Sequence, residues 1–256
     1  MSPPYNVDGW RLDVAADLGY SPEYNHLFWK RFEKQSKKQI RMLDSGGKLY
    51  RSGSWLEGDE WDTVMNYEAF MEPITWFLTG VEKHSDERRD DLLCNPETFE
   101  GAMSHHMSRF EYDSLYVAMN ELSNHDHSRF LTRTNGQVGR IQSEGAKAAE
   151  EGIHDAVMRE AVIMQMTWPG APTVYYGDEA GVCGWTDPDN RRTYPWVMKI
   201  SRCCNSTKKP FESTKAARHC VPVPTKCFIQ HGEYWAMAVL IRMSGMQSLS
   251  IIHRRQ

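Results

Sequence analysis

Along residues 6–15, "NVDGWRLDVA", apolar and polar positions alternate: Trp10, Leu12 and Val14 fall on one side, and Gly9, Arg11 and Asp13 on the other. A period of two predicts a strand. "SPEYNHLFWKRFEKQSKK" then places Leu27, Phe28 and Phe32 at helical spacing behind Ser21-Pro22, a start signal, and ends basic. The pattern next predicts a strand over 59–70, "DEWDTVMNYEAF", and a helix in "MEPITWFLTGVEKH". "ETFEGAMSHHMSRF" is expected to be a helix and the segment through "SLYVAMNELSNHD" a strand. One long helix is expected in "AKAAEEGIHDAVMREAVIMQMTWPG", stopped by Pro169-Gly170. "APTVYYGDEAG" reads as a short strand and a polar loop. Strands alternating with helices predict an α/β chain with a parallel sheet and helices outside it. After Trp196 the periodicity stops, in a stretch crowded with Lys, Arg and Cys; alternation returns in "GEYWAMAVLIRM" and "SLSII".

Composition narrows the class. The chain has 256 residues, 40% of them apolar and nine of them Trp, enough for a real core in one large domain or two small ones. A net charge of −4 leaves no basic footprint for nucleic acid. No apolar run approaches the ~20 residues of a membrane span. "MSPPYNVDGW" lacks the charged-then-apolar order of a signal segment, so a cytoplasmic location is expected. Six cysteines do not suggest a secreted disulfide framework in a chain this long. Cys203, Cys204, Cys220 and Cys227 contain no C-x-x-C pair, so neither zinc nor any other metal or cofactor is expected.

Three stretches carry candidate chemistry. Arg11 and Asp13 lie on one face near the C-terminal end of a strand, and a carboxylate beside a guanidinium stays ionised, as a nucleophile must. A strand-end salt bridge is the plainer account of the same pair. "ELSNHDHSRF" sets Asn124, His125 and Asp126 at another strand end. They suit an oriented base, a clamp on sugar hydroxyls, a metal pair, or merely a capped turn. "YYGDEAGVCGWTDPDNRRTYPW" gathers paired tyrosines, acids and paired arginines in one loop-rich segment. Aromatic faces and planar hydrogen-bonding groups suit sugar rings, and a structural loop is the alternative.

In this order and spacing, "DGWRLDVA", "GDEWDTVMNY", "NHDHSR" and "PGAPTVYYGDEAG" with "DPDNRRTYPW" resemble the α-amylase family of glycoside hydrolases (glycoside hydrolase family 13). The D-P-x-N-R-R loop resembles that of the neopullulanase, cyclomaltodextrinase and maltogenic amylase group. The resemblance covers residues 1–196 and implies roughly the fourth to eighth strands of a (β/α)₈ TIM barrel. It further implies a frame-disrupted or disordered linker over 197–230 and, over 231–256, the start of a C-terminal β-sandwich domain. By resemblance Asp13 is the nucleophile of a retaining α-glucan hydrolase or transglycosylase, and Asp126 stabilises the transition state. Arg11, His125, Asn124, Tyr176, Asp187 and Arg191 bind substrate, an α-glucan oligosaccharide. Calcium occurs in the family, but no residue here points to it.

The resemblance also implies a protonated Glu shortly before "SWLEGDEWD", since retaining hydrolysis needs a second carboxyl. "MLDSGGKLYRSGSW", residues 42–55, has no Glu; Glu57 and Glu60 follow but belong to the next block. The family's first three strands have no counterpart before Met1. Codons GAT TCT GGC GGA AAG for residues 44–48, shifted by one base, read I-L-A-E, a buried-strand string ending in Glu. Residues 197–229 likewise give amphipathic, family-like text in a shifted frame. The sequence therefore predicts a chain from a frame-disrupted gene that carries two of three catalytic carboxylates and is impaired in turnover. A non-catalytic glucan-binding protein and a non-functional fragment are the alternatives.

Overall fold

The computed structural model describes residues 9–36, 41–44, 52–196, 224–231, 234–243 and 246–255, with side chains over 11–35 and 54–196. Five short strands neighbour one another in chain order. β1 (Gly9–Leu12), β2 (Arg41–Asp44) and β3 (Thr63–Val64) are parallel, with Leu12 opposite Asp44 and Asp44 opposite Val64. β4 (Met119–Glu121) and β5 (Ala171–Thr173) form a parallel pair, Glu121 opposite Thr173. A parallel bridge from Met65 to Met119, with Asn66 N–H donating to the Met119 carbonyl at 2.9 Å, links β3 to β4. Successive parallel neighbours require a crossover each time, and helices supply them.

The helices are α1 (Pro22–Ser36), α2 (Glu72–Thr79), α3 (Pro96–Met107), α4 (Tyr112–Val117), α5 (Phe130–Arg133), α6 (Ile141–Ala148) and α7 (Asp155–Thr167). α1 begins at the expected Ser21-Pro22 signal. α3 is capped by Asn95, whose side chain accepts from Thr98 N–H at 3.2 Å. Four expectations are corrected. Of the strand expected through "SLYVAMNELSNHD", the start lies in the helix Tyr112–Val117 and only Met119–Glu121 is extended. β1 ends at Leu12 instead of running to residue 15, because Val14 takes a left-handed φ of 49° that turns the chain into the Ala15–Asp17 helical turn. Only Thr63–Val64 of the expected strand over 59–70 is extended; Tyr67–Met71 is a π-helical turn, closed by Met71 N–H on the Asn66 carbonyl at 3.1 Å. The expected single helix is two, α6 and α7, separated at Gly152 (φ 68°), where His154 N–H is taken by the Thr134 hydroxyl at 2.8 Å. α7 does stop before Pro169, as the restricted residue ahead of a proline requires.

The larger core lies between helices. Phe77 of α2 stacks on Phe99 of α3 at 4.5 Å, and Val157, Ala161 and Met164 bring the buried stripe of α7 against them. A second core packs Trp29 of α1, Trp55, Trp61 and Val64, with the Trp55 and Trp61 rings stacked at 4.5 Å. Leu122, just after β4, belongs to the first core, and Val64 of β3 to the second.

Separately, β6 (Pro224–His231), β7 (Tyr234–Met243) and β8 (Met246–Arg255) form an antiparallel sheet in the order β6-β7-β8. The alternating segments expected to be strands are β7 and β8, whereas β6 starts inside the stretch without periodicity. Of the stretches 44–48 and 197–229, where frame disruption is expected, Asp44 ends β2 and 224–229 fall in β6, while 45–48 and 197–223, with Cys203, Cys204 and Cys220, lie outside the described residues.

Candidate active site

A cavity of about 330 Å³ opens where β1, β4 and β5 end, lined in part by Arg11, Met65, Glu121, Asn124, His125 and Tyr175. Arg11 points from β1 and forks: Nη1 lies 3.1 Å from Asp13 Oδ1 and Nη2 3.2 Å from His125 Nε2. His125 Nε2 is in turn 3.4 Å from Asp126 Oδ1. One ring nitrogen is thus shared between a guanidinium and a carboxylate; it accepts from Arg11 in the Nδ1–H tautomer and donates to Asp126 in the other. Asp13 and Asp126 reach the cavity through these two neighbours, and both are accessible.

Asn124, expected to contact substrate, lines the cavity and also holds the neighbouring loop. It is buried, and its amide is committed: Nδ2 donates to the Tyr67 hydroxyl at 2.9 Å and to Glu121 Oε2 at 3.1 Å. Its Oδ1 accepts the backbone N–H groups of Asp126 and His127 at 3.0 and 3.1 Å. Asn124 therefore shapes the loop that presents His125 and Asp126. Asp187 and Arg191 pin the same loop from the other side. They pair with each other at 2.7 Å; Arg191 Nε donates to the His125 carbonyl at 3.2 Å, and Asp187 N–H to the Asp126 carbonyl at 3.2 Å. Of the two tyrosines, Tyr175 lines the cavity and Tyr176 does not; the Tyr176 hydroxyl donates to the Arg192 carbonyl at 3.0 Å.

Arg129, missed in the sequence, ties the parts together. Fully buried, it pairs with Asp178 at 2.9 Å, donates to the Asn190 and Tyr176 carbonyls at 2.8 and 2.6 Å, and lies 4.0 Å over the Tyr175 ring. Burial raises the Asp178 carboxyl, and Arg129 opposes that shift. Burial pushes Glu121 up to about 8, against the Asn124 hydrogen bond and Arg11, and it holds His127 well below the usual imidazole range. Glu121 ends a strand and Arg129 precedes a short helix, and pattern alone does not distinguish either from a surface residue.

Neither Glu57 nor Glu60 borders the cavity. Glu60 is buried beside α1, its Oε1 2.7 Å from His26 Nδ1, and His26 stacks on Trp55 at 3.8 Å. Among the described residues no group of three or more His, Cys, Asp or Glu is arranged for a metal ion, and no helix is long and apolar enough to cross a membrane.

Residues 3–224 match the family described as alpha amylase, catalytic domain. Neopullulanase 2 of Thermoactinomyces vulgaris is 34% identical over 194 residues, which are 75% of this chain and 27% of that protein. Cyclomaltodextrinase of Thermoanaerobacter pseudethanolicus is 33% identical over 193 residues, again 75% of this chain and 27% of that protein. The chain thus spans about a quarter of the length of these relatives. A solved cyclomaltodextrinase shares the fold with a TM-score of 0.71 at 24% identity, over 96% of this chain and 36% of that one. With the four sequence blocks, the parallel α/β architecture and the clustered Arg11, Asp13, His125 and Asp126 in agreement, the chain belongs to the alpha-amylase family of glycosidases.

Proposed function

We propose that this chain carries part of the site of a retaining α-glucan hydrolase or transglycosylase acting on α-1,4 or α-1,6 linkages. In this reading β1 to β5 are the fourth to eighth strands of a (β/α)₈ barrel occupying residues 1–196, residues 197–230 are a linker, and 231–256 belong to a C-terminal β domain. The observation that carries it is the line Asp13–Arg11–His125–Asp126, each step between 3.1 and 3.4 Å. Asp13 attacks the anomeric carbon, and Arg11 holds its carboxylate in place. Asp126 and His125 grip ring hydroxyls, with Asp187 and Arg191 steadying their loop. Tyr175 takes the face of a sugar ring. The chemistry draws on carboxylates, a guanidinium and an imidazole, and calls on no cofactor.

A leaving oxygen also needs a proton, and the chain has no Glu between Glu33 and Glu57. Turnover in this chain is therefore lower by ~10²–10⁴ than with a placed general acid. That gap favours a second reading, a glucan-binding protein without turnover. Calorimetry with cyclodextrin and release of reducing sugar from maltooligosaccharide separate the two. Slow release abolished in Asp13→Asn supports the hydrolase, binding without release supports the second reading, and absence of both removes them.

A further inference from the structure

Glu121 has no part in the chemistry above, yet it is a carboxyl 3% exposed on the cavity wall at the end of β4. Its Oε2 accepts from the Asn124 amide nitrogen at 3.1 Å, and the same nitrogen donates to Tyr67. The far end of that amide holds the Asp126 and His127 backbone N–H groups. A single side chain thus connects a buried acid to the loop that presents Asp126. The groups facing Glu121 are the Asn124 amide and Arg11, which favour its ionised form but are outweighed by burial, Asp126 and Asp178, which oppose it, and the Tyr67 phenol, itself pushed up by burial.

We propose that Glu121 is a proton-linked positioning residue: neutral, it supports Asn124 and through it the His125–Asp126 loop, and its ionisation loosens that loop. The physical reason is desolvation. A charge formed here has no water to solvate it and adds to the Asp126 charge, so the pocket must admit water or shift. An opened loop leaves this carboxyl solvated near its ordinary 4.5, so between about 4.5 and about 8 the closed loop holds a proton that the open one gives up; the loop loosens across that range and no further above it.

The test uses the full chain and two variants, E121Q, which keeps an acceptor for Asn124 without a titrating proton, and E121L, which keeps neither. Hydrogen exchange at the Asp126 and His127 amides, expressed as protection relative to the unstructured rate, is followed from about pH 6 to about pH 9. In the wild type protection falls by about tenfold or more from about pH 6 and levels off above about pH 8; in E121Q it stays level. In E121L it is level and lower throughout, because Asn124 has lost a partner. A fall of the same size and midpoint in either variant overturns the inference. Cyclodextrin affinity, measured alongside, should show the same alkaline decline in the wild type alone. Protection that behaves as stated without cyclodextrin binding would sink the glucan reading and leave this inference standing. The reverse result, binding with a decline untouched by E121Q, would sink the inference alone.

Discussion

Arg11 Nη2 stands 3.2 Å from His125 Nε2, although 114 residues separate them. The contact joins the end of β1 to the loop after β4, and through it the two aspartates flank one guanidinium and one imidazole.

Replacing Arg11 by Leu should cut cyclodextrin affinity by about tenfold or more while changing stability by less than about 1 kcal/mol, since the pair is partly solvated. Lys should not restore it, because a point charge cannot serve Asp13 and His125 together as the fork does. Calorimetry and urea unfolding of both variants check this, and full affinity in the Lys variant would refute it.

Asn124→Ala should cost about 3 kcal/mol of stability. It removes the donor shared by the Tyr67 hydroxyl and Glu121 and the acceptor of two backbone N–H groups, and buried groups that lose a partner carry a desolvation cost. The urea midpoint is the measurement; a change as small as that of a surface substitution would contradict the bonds described here.

Arg129→Met should be worse, about 3–5 kcal/mol, because it leaves Asp178 buried without its partner. Adding Asp178→Leu to that variant should recover part of the loss. A double-mutant cycle measures the coupling, and independent, additive losses would rule the pairing out.

His127 predicts an acid limb. Its folded value is far below the ordinary 6.5, so below pH 6.5 the unfolded chain takes up a proton that the folded chain refuses. Stability from this group is complete above about 6.5 and is lost as pH falls toward the folded value. Thermal midpoints from about pH 7 to about pH 5 should decline less in His127→Asn than in the wild type.

Local pattern went a long way in this chain. The alternation around Arg11, the Ser21-Pro22 start and the Pro169 stop are short-range facts; α1 and the end of α7 sit where they put them, and β1 is present but ends early, at Leu12. Four blocks in order were enough to bring Arg11, Asp13, His125 and Asp126 to one place. Pattern misjudged length wherever a distant group intervened. Asn66 bonds Asn120 at 2.9 Å, and the chain beyond it leaves the strand for a π turn; Thr134 takes His154 N–H, and the long helix is two.

The sequence by itself determined the family, the succession of strands and helices, and which charged residues stand at strand ends, because these depend on periodicity and spacing along the chain. Only the tertiary structure decided the roles within the cluster. Asn124 came to support the loop as well as line the cavity, Tyr175 instead of Tyr176 lined the cavity, and Glu121 became a buried acid. Those outcomes depend on what lies opposite each side chain across the sheet, and burial and hydrogen-bond partners there are set by residues 50 or more positions away.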